Sequence, residues 1–354
     1  MKEAMPQNPA EGKKVRDLKE AMLWGPAGGK KVRCKLCNHR CLIPDGGRGF
    51  CLVRENKGGK LYSLVYGKAV SWEVDPIEKK PFYHWFPGTQ AFSFATVGCN
   101  FRCEGCQNWS ISQTKEITGH DMPPEEIIRL AKQFNARGIA YTYTEPTIFF
   151  EYAYDTAALG RKNHLYSVFV TNGYMTPETI KEMKNIDASR IDLKFMDEKL
   201  YRAYCKAEGY EHVLESIKLL HKKGHIEVIN LVIPTLNDND DAYRATAKFV
   251  AGLGKDIPLL FIAFDPANRA TGIPPTHVQS LERAREIGME EGLNYAYIGN
   301  IPGHPGENTY CPKCKGLVIE RYGFMITKYA VTKDHKCPKC GGKILIWDET
   351  NYNL

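Results

Sequence analysis

The chain has 354 residues, 43% of them hydrophobic and 25% charged, which is ordinary for a globular enzyme with one large domain and one or two small modules. It lacks an apolar run of 18 residues and begins with a charged segment, so we expect no membrane span, no signal peptide and a cytoplasmic location. The net charge of +7 comes from 48 basic and 41 acidic residues spread along the chain, which favours solvated surfaces over a nucleic-acid-binding stripe.

The twelve cysteines fall into three groups and one isolated residue. Because the cytosol is reducing, we interpret the groups as metal ligands rather than disulfides. The isolated Cys205, in the segment KLYRAYCKAEGY, is interpreted as a buried structural thiol.

Residues 1–30 are polar and contain prolines and paired glycines, so we predict a flexible lead-in. Residues 31–75 form a predicted module with four cysteines in a C-x2-C-x3-C-x9-C spacing: Cys34, Cys37, Cys41 and Cys51. Four thiolates suit zinc, which we place first, or a second iron–sulfur cluster. The glycines of IPDGGRG provide a tight turn between the last two cysteines.

Between residues 76 and 305, short apolar runs alternate with longer amphipathic ones. AFSFATVG, IAYTYTEP and LYSVFVTNGY have the length of strands, and PPEEIIRLAKQFNARG and EHVLESIKLLHKKG have the length of helices. This alternation predicts parallel βαβ units. About seven such strands indicate an α/β fold, a partial TIM-like barrel with small cysteine-rich modules at both ends, and its site would lie at the carboxyl ends of the strands.

The stretch TVGCNFRCEGCQNW follows the first predicted strand and holds Cys99, Cys103 and Cys106. A structural zinc site needs four ligands, whereas three thiolates on one loop can hold three irons of a [4Fe–4S] cluster and leave the fourth iron open. A zinc site completed by a distant ligand and a set of merely buried cysteines are the alternatives.

Residues 306–354 contain CPKC twice, with 22 residues between the two pairs. Two such pairs are typical of a zinc ribbon, in which each pair gives two thiolates on a tight turn. Iron in a rubredoxin-like site is the alternative. The ligands are Cys311, Cys314, Cys337 and Cys340.

The three-cysteine loop resembles the signature of the radical S-adenosylmethionine (SAM) superfamily, and residues 91–300 have the rhythm of its fold. The resemblance implies a [4Fe–4S] cluster whose open iron is chelated by SAM, and an electron donor of the ferredoxin or flavodoxin type. It also implies reductive cleavage of SAM, usually to a 5′-deoxyadenosyl radical.

The resemblance assigns SAM contacts to polar residues after the later strands. TEP stands where the family has a motif for the methionine amino group, TNG suits ribose or carboxylate contact, and DLK matches a tag of glycyl-radical-enzyme activases. The family has an aromatic residue at position 105, where this chain has Gly105, so another ring such as Trp109 would have to pack beside the adenine. The implied contacts are Gly105, Thr144, Glu145, Pro146, Thr171, Asn172, Asp192, Leu193, Lys194 and the weaker candidates Asn230 and Asp265.

Four segments together resemble the AmmeMemoRadiSam-system radical SAM enzymes, which are similar to pyruvate formate-lyase-activating enzymes. They are CKLCNHRCLIPDGGRGFCLVR, DPIEKKPFYHWFPGT, TVGCNFRCEGCQNW and GNIPGHPGENTYCPKC. The resemblance implies an activase-like enzyme with a protein substrate, first of all a member of the Memo or Ammecr families. RNA or a small metabolite is the alternative substrate, and a non-catalytic, zinc-stapled binding protein is the alternative class.

Overall fold

The computed structural model describes residues 18–354, and the first 17 residues of the predicted lead-in lie outside that range. The amino-terminal module consists of short antiparallel strands in two three-stranded sheets, β1-β6-β5 and β2-β3-β4. Residues 19–26 belong to these sheets, so the module begins before the boundary that we predicted at residue 30. The strands are β1 (Lys19–Glu20), β2 (Trp24–Pro26), β3 (Val32–Cys34), β4 (Leu42–Ile43), β5 (Arg54–Lys57), β6 (Lys60–Ser63) and β7 (Lys68–Ala69).

The middle of the chain builds an eight-stranded sheet in the order β16-β15-β14-β13-β12-β11-β9-β8. Neighbouring strands pair in parallel except β8, which is antiparallel to β9 and forms one edge. The remaining short strand, β10, pairs with β7. The strands are β8 (Ser71–Pro76), β9 (Gln90–Ala95), β10 (His120–Asp121), β11 (Gly138–Tyr141), β12 (Tyr166–Thr171), β13 (Ala188–Asp192), β14 (His225–Val232), β15 (Leu259–Ala263) and β16 (Ala296–Gly299).

This sheet confirms the α/β class with a mostly parallel sheet, while the partial barrel stays a prediction. It also assigns residues 71–76, which we had placed in the amino-terminal module, to the central sheet. Strand β12 is buried at every position, as expected for parallel strands covered on both faces.

Helices connect the parallel strands and cover the sheet. Helix α4 begins as its sequence predicts, because the Thr176 hydroxyl accepts the backbone N–H of Thr179 at 3.2 Å and Pro177 takes the first helical position. The helices are α1 (Trp109–Ser112), α2 (Pro124–Gln133), α3 (Phe150–Lys162), α4 (Pro177–Glu182), α5 (Glu198–Leu200), α6 (Glu211–Lys223), α7 (Asp240–Leu253) and α8 (Val278–Glu290). A π-helical turn at Tyr201–Cys205 and 3-10 turns at Ile77–Lys79, Pro146–Phe149 and Pro305–Glu307 complete the helical elements.

The carboxyl-terminal module contains the antiparallel strands β17 (Thr309–Tyr310), β18 (Leu317–Tyr322) and β19 (Met325–Tyr329). The buried Arg321 joins it to the rest of the fold by donating to the backbone carbonyl of Tyr83 at 2.9 Å. The last residues pack Trp347 and Tyr352 against Trp85. None of the helices in residues 18–354 is long and apolar enough to cross a membrane.

Candidate active site

A cavity of about 540 Å³ lies at the carboxyl ends of β9, β11, β12 and β13. This is the edge of a parallel α/β sheet at which chemistry is expected. The cavity brings together most of the residues predicted from three separate motifs. It is lined by Lys79, Lys80, Cys99, Phe101, Cys103, Cys106, Gln107, Asn108, Ser112, Thr142, Tyr143, Thr144, Glu145, Val170, Thr171, Asn172, Arg190, Asp192 and Lys194.

The three-cysteine loop is held by contacts to its sulfur atoms. The backbone N–H of Phe101 lies 3.3 Å from Cys99 Sγ, and Ser112 Oγ lies 3.3 Å from Cys106 Sγ. The third thiol, Cys103, has a hydrogen bond from Cys205, which lowers the pKa of Cys103. Cys205 is fully buried, as predicted, but its contact with the loop was missed because it lies a hundred residues away in sequence.

The donor set of the loop fits an iron–sulfur cluster better than a zinc ion. Three thiols face one cavity, and none of them belongs to a group of ligand atoms within 4.8 Å of one another in residues 18–354. A single zinc ion needs four ligands at that close spacing, whereas a cluster holds each thiolate on a different iron atom. The alternative of a zinc site completed by a distant ligand would require the three thiols to move closer together.

Glu145 is buried and serves as the junction between two loops. Its Oε1 atom accepts from the Thr147 hydroxyl at 2.5 Å and the Thr171 hydroxyl at 2.7 Å, and its Oε2 atom accepts the Asn172 N–H at 2.8 Å. Burial raises its pKa despite these donors. The Thr144 hydroxyl donates to the Thr96 carbonyl at 2.9 Å, and Pro146 begins a 3-10 turn. A carboxylate with this many donors orients both loops and keeps little capacity for a further donor.

Asp192 and Lys194 lie side by side on the cavity wall, with Lys194 Nζ 2.7 Å from Asp192 Oδ2. Arg190, which sequence reasoning missed, forms an ion pair with the same carboxylate. Burial lowers the pKa of Arg190 to about 9. Asn230 lies behind this group and donates to the backbone carbonyl of Leu193 at 2.9 Å, so both residues fix the loop rather than line the cavity.

A second ionic group on the cavity wall was also missed. Asp75 accepts from Lys80 at 2.5 Å, from Tyr143 at 2.6 Å and from Lys79 at 2.7 Å. Burial alone would raise the pKa of Asp75, but these donors lower it below its usual value. Burial also lowers the pKa of Lys80 to about 8. No motif marks these residues, and the fold brings β8 and the loop after β11 together.

The structure explains why position 105 is glycine. A Cβ atom built there would meet the hydroxyl of Tyr204 at 2.3 Å and Cε2 of Phe264 at 2.8 Å. These two rings already fill the space beside the cluster loop, so a side chain at Gly105 has no room. Trp109 is 51% exposed on α1 and does not line the cavity.

The two terminal cysteine groups differ in geometry. In the carboxyl-terminal group all four Sγ atoms lie within 4.8 Å of one another, with Cys311 and Cys340 at 3.6 Å and Cys314 and Cys337 at 3.7 Å. A tetrahedral zinc ion with bonds of about 2.3 Å places its sulfur atoms about 3.8 Å apart. This group therefore has the spacing of a single-ion site. The amino-terminal cysteines are more widely spaced and lie against the cluster loop.

Comparison with known proteins agrees with this site. Residues 94–250 match the model of the radical SAM superfamily. A relative from Methanocaldococcus jannaschii, an uncharacterized protein, is 48% identical over 88% of this chain and 94% of its own length. The pyruvate formate-lyase 1-activating enzyme of Escherichia coli is 23% identical over 57% of this chain and 89% of its own length.

A solved domain of the pyruvate-formate lyase-activating enzyme from Bacteroides vulgatus covers 46% of this chain and 99% of its own, with 19% identity and a TM-score of 0.41. Residues 94–250, which match the superfamily model, contain the cysteine loop and most of the parallel strands. A three-thiol loop at the carboxyl edge of an α/β sheet is typical of proteins that bind a metal cofactor. The chain belongs to the radical SAM superfamily. Membership implies SAM, a [4Fe–4S] cluster and an electron donor, while the AmmeMemoRadiSam grouping stays a prediction.

Proposed function

We propose that this protein is a radical SAM enzyme of the activase type, with a protein as its substrate. The observation that supports the chemistry most directly is the convergence of the three-thiol loop with the ion pairs of Arg190, Asp192 and Lys194 on one cavity. A reduced cluster, when bound, would supply the electron for reductive cleavage of a carbon–sulfur bond of SAM. The protein has to hold the cluster, bind the charged methionine end of SAM and exclude water.

Each requirement has residues that suit it. Cys99, Cys103 and Cys106 would each bind one iron and leave one iron open. Lys194 can donate to the carboxylate of the methionine moiety, and Asp192 can accept from its ammonium group. Glu145 accepts hydrogen bonds from Thr147, Thr171 and Asn172, and these bonds fix the loops on which the contacts depend.

SAM affinity tests these assignments. A charge-assisted hydrogen bond contributes about 1.5–3 kcal/mol, so Lys194→Met should weaken SAM binding about tenfold or more in the cluster-loaded protein. Lys328→Met removes an exposed lysine of β19 and should leave the affinity unchanged. Equal affinity in both variants would contradict the role of Lys194. The nucleoside formed after dithionite reduction identifies which carbon–sulfur bond breaks.

The protein substrate is supported by the activating enzymes among the relatives, whose names refer to pyruvate formate-lyase. The Memo and Ammecr families are the first candidates by resemblance. The test is an anaerobic deuterium-transfer assay with purified candidates carrying deuterium on exchange-resistant carbons. Deuterium in the nucleoside product supports the proposal. Transfer from an RNA or a small metabolite, with none from proteins, contradicts it.

The carboxyl-terminal cysteines, in our proposal, hold one structural zinc ion. The close spacing of their four sulfur atoms supports this assignment, and the module has only a small core of its own around Ile319 and Ile344. Metal analysis of Cys314→Ser beside the unaltered protein is the test. Loss of zinc with iron unchanged is expected, and loss of iron instead would indicate a rubredoxin-like site.

A further inference from the structure

The four amino-terminal cysteines come together from three turns of the chain. Cys34 ends β3 and its backbone N–H donates to the carbonyl of Cys41 at 3.0 Å. Cys37 lies in the turn between them, and Cys51 precedes β5. Three of the four are buried and Cys41 is partly exposed. All four contribute to the core of this module, and none forms a disulfide.

A backbone N–H group donates to one of these sulfur atoms, as one does in the cluster loop. The N–H of Phe50 lies 3.4 Å from Cys41 Sγ, and the N–H of Phe101 lies 3.3 Å from Cys99 Sγ. Such donors stabilise thiolates and tune the potential of iron–sulfur clusters.

The spacing of the sulfur atoms distinguishes this group from the zinc-like one. Within residues 18–354, the set of potential ligands whose atoms all lie within 4.8 Å of one another is Cys311, Cys314, Cys337 and Cys340. The amino-terminal cysteines do not meet that spacing, and neither do the three cysteines of the cluster loop. Sulfur atoms on separate irons of a cluster lie farther apart than sulfur atoms on one ion, so the amino-terminal group resembles the cluster loop.

A buried arginine next to this group has partners on only one of its three nitrogen atoms. Arg54 is 1% exposed, and its Nη2 atom lies 3.1 Å from Glu151 Oε1. Its Nε and Nη1 atoms have no hydrogen-bond partner. Arg54 begins β5, three residues after Cys51. Because two N–H groups of this buried guanidinium are unsatisfied, a negatively charged thiolate cluster beside it would provide further compensation.

The amino-terminal group is in direct contact with the cluster loop. Arg102 donates to the carbonyl of Phe50 at 2.6 Å, and His39 Nε2 lies 2.6 Å from the carbonyl of Asn100. At Gly98, where φ is +95°, an added Cβ would lie 2.8 Å from the carbonyl oxygen of Cys51. Gly98, which precedes Cys99, therefore lies against the backbone of Cys51 with no intervening layer.

From this geometry we infer that Cys34, Cys37, Cys41 and Cys51 bind a second [4Fe–4S] cluster, placed to pass electrons to the cysteine loop. The electron-transfer role rests on the proposed function, whereas the binding site does not. One electron would come from a ferredoxin- or flavodoxin-type donor and leave to the loop site, with neither a proton nor a group transferred. The donor is thereby oxidised by one electron and the loop site reduced by one.

Iron and acid-labile sulfide analysis after anaerobic reconstitution tests the site without any assay of activity. Two clusters give about eight irons per chain, and one gives about four. We expect about eight in the unaltered protein and about four in Cys34→Ser/Cys37→Ser. The matched control Cys311→Ser/Cys314→Ser should lose zinc and retain about eight irons.

A fourth protein separates this inference from the proposed function. Cys99→Ser/Cys103→Ser should retain about four irons, on the amino-terminal cysteines. If that variant binds as much iron as the unaltered protein, the loop holds no cluster. The proposed function then fails, while the second site stands. If the unaltered protein binds about four irons and a second zinc ion that Cys34→Ser/Cys37→Ser loses, the second cluster is refuted.

Two measurements avoid dependence on a variant that misfolds. Mössbauer spectra of the unaltered protein should give twice the [4Fe–4S] iron of Cys99→Ser/Cys103→Ser. The single change Cys41→Ser, at the partly exposed ligand, should alter the electron paramagnetic resonance spectrum of one cluster and slow reduction of the loop cluster by a flavodoxin at least tenfold. An unchanged spectrum and an unchanged rate in a variant with native circular dichroism would overturn the inference.

Discussion

Replacing Gly105 by alanine tests how tightly the cluster loop is packed. The new Cβ would lie 2.3 Å from the Tyr204 hydroxyl, 2.8 Å from Cε2 of Phe264 and 3.3 Å from Cβ of Ala270. The backbone at this position is not in the left-handed region, so the cost is steric rather than conformational. Overpacking of this kind costs about 1–3 kcal/mol of stability.

A matched glycine provides the control for this substitution. Gly272 is exposed, has no neighbouring atom within 4 Å of an added Cβ and also lies outside the left-handed region. Gly272→Ala should therefore leave the free energy of unfolding unchanged or raise it by up to about 1 kcal/mol. Both variants are compared by urea unfolding, with identical metal loading in anaerobic buffer.

Tyr204→Phe completes a double-mutant cycle, because it removes the atom closest to the new Cβ. Gly105→Ala should cost less in the Tyr204→Phe background, by at least about 0.5 kcal/mol, and part of the cost should persist because Phe264 stays in place. If Gly105→Ala destabilises both backgrounds equally, or has no more effect than Gly272→Ala, the explanation of Gly105 by ring packing is wrong.

Three further predictions concern other parts of the structure. Burial raises the pKa of Glu78 to about 7, so the unaltered protein loses stability as pH rises from about 4.5 to 7. Relative to the unaltered protein, the free energy of unfolding of Glu78→Gln should therefore be higher at pH 8 than at pH 5 by up to about 3 kcal/mol, measured by urea unfolding. A difference that does not depend on pH would contradict this. Glu145→Gln places an amide where the carboxylate accepts buried donors, so we expect a loss of at least about 1–3 kcal/mol, and an unchanged thermal midpoint would show that the loops do not depend on Glu145. Gly252→Ala, on the exposed face of α7 with open space around it, should raise the free energy of unfolding by up to about 1 kcal/mol, which a lower urea midpoint would refute.

The parts of the fold that sequence reasoning predicted are those specified by local pattern. The alternation of apolar runs predicts the parallel strands, and the cap at Thr176 marks the start of α4. The domain boundaries near residues 30 and 75 stay predictions. Strand β1 lies before the first and β8 spans the second, and both strands are defined by the strands with which they pair rather than by their own composition. Pairing between distant segments has no local signal.

The same distinction applies to the candidate site. Cysteine spacing and the DLK motif identified residues whose type and position are unusual. Arg190, Lys80 and Asp75 were missed because each is an ordinary charged residue in a strand or turn, and only the folded chain buries them together. A buried arginine inside an apolar strand is a usable signal, since charged residues are rarely buried without a partner.

The charges around the cavity indicate which kind of ligand it suits. Asp192 pairs with both Arg190 and Lys194, and Asp75 pairs with both Lys79 and Lys80. Each carboxylate is thus shared between two cations, and burial lowers the pKa of Arg190 to about 9 and that of Lys80 to about 8. A ligand with a carboxylate of its own would supply the missing negative charge, and an ammonium group on the same ligand would find Asp192 next to it. An amino-acid end has both groups on one carbon, which supports our proposal that this wall binds the methionine end of SAM.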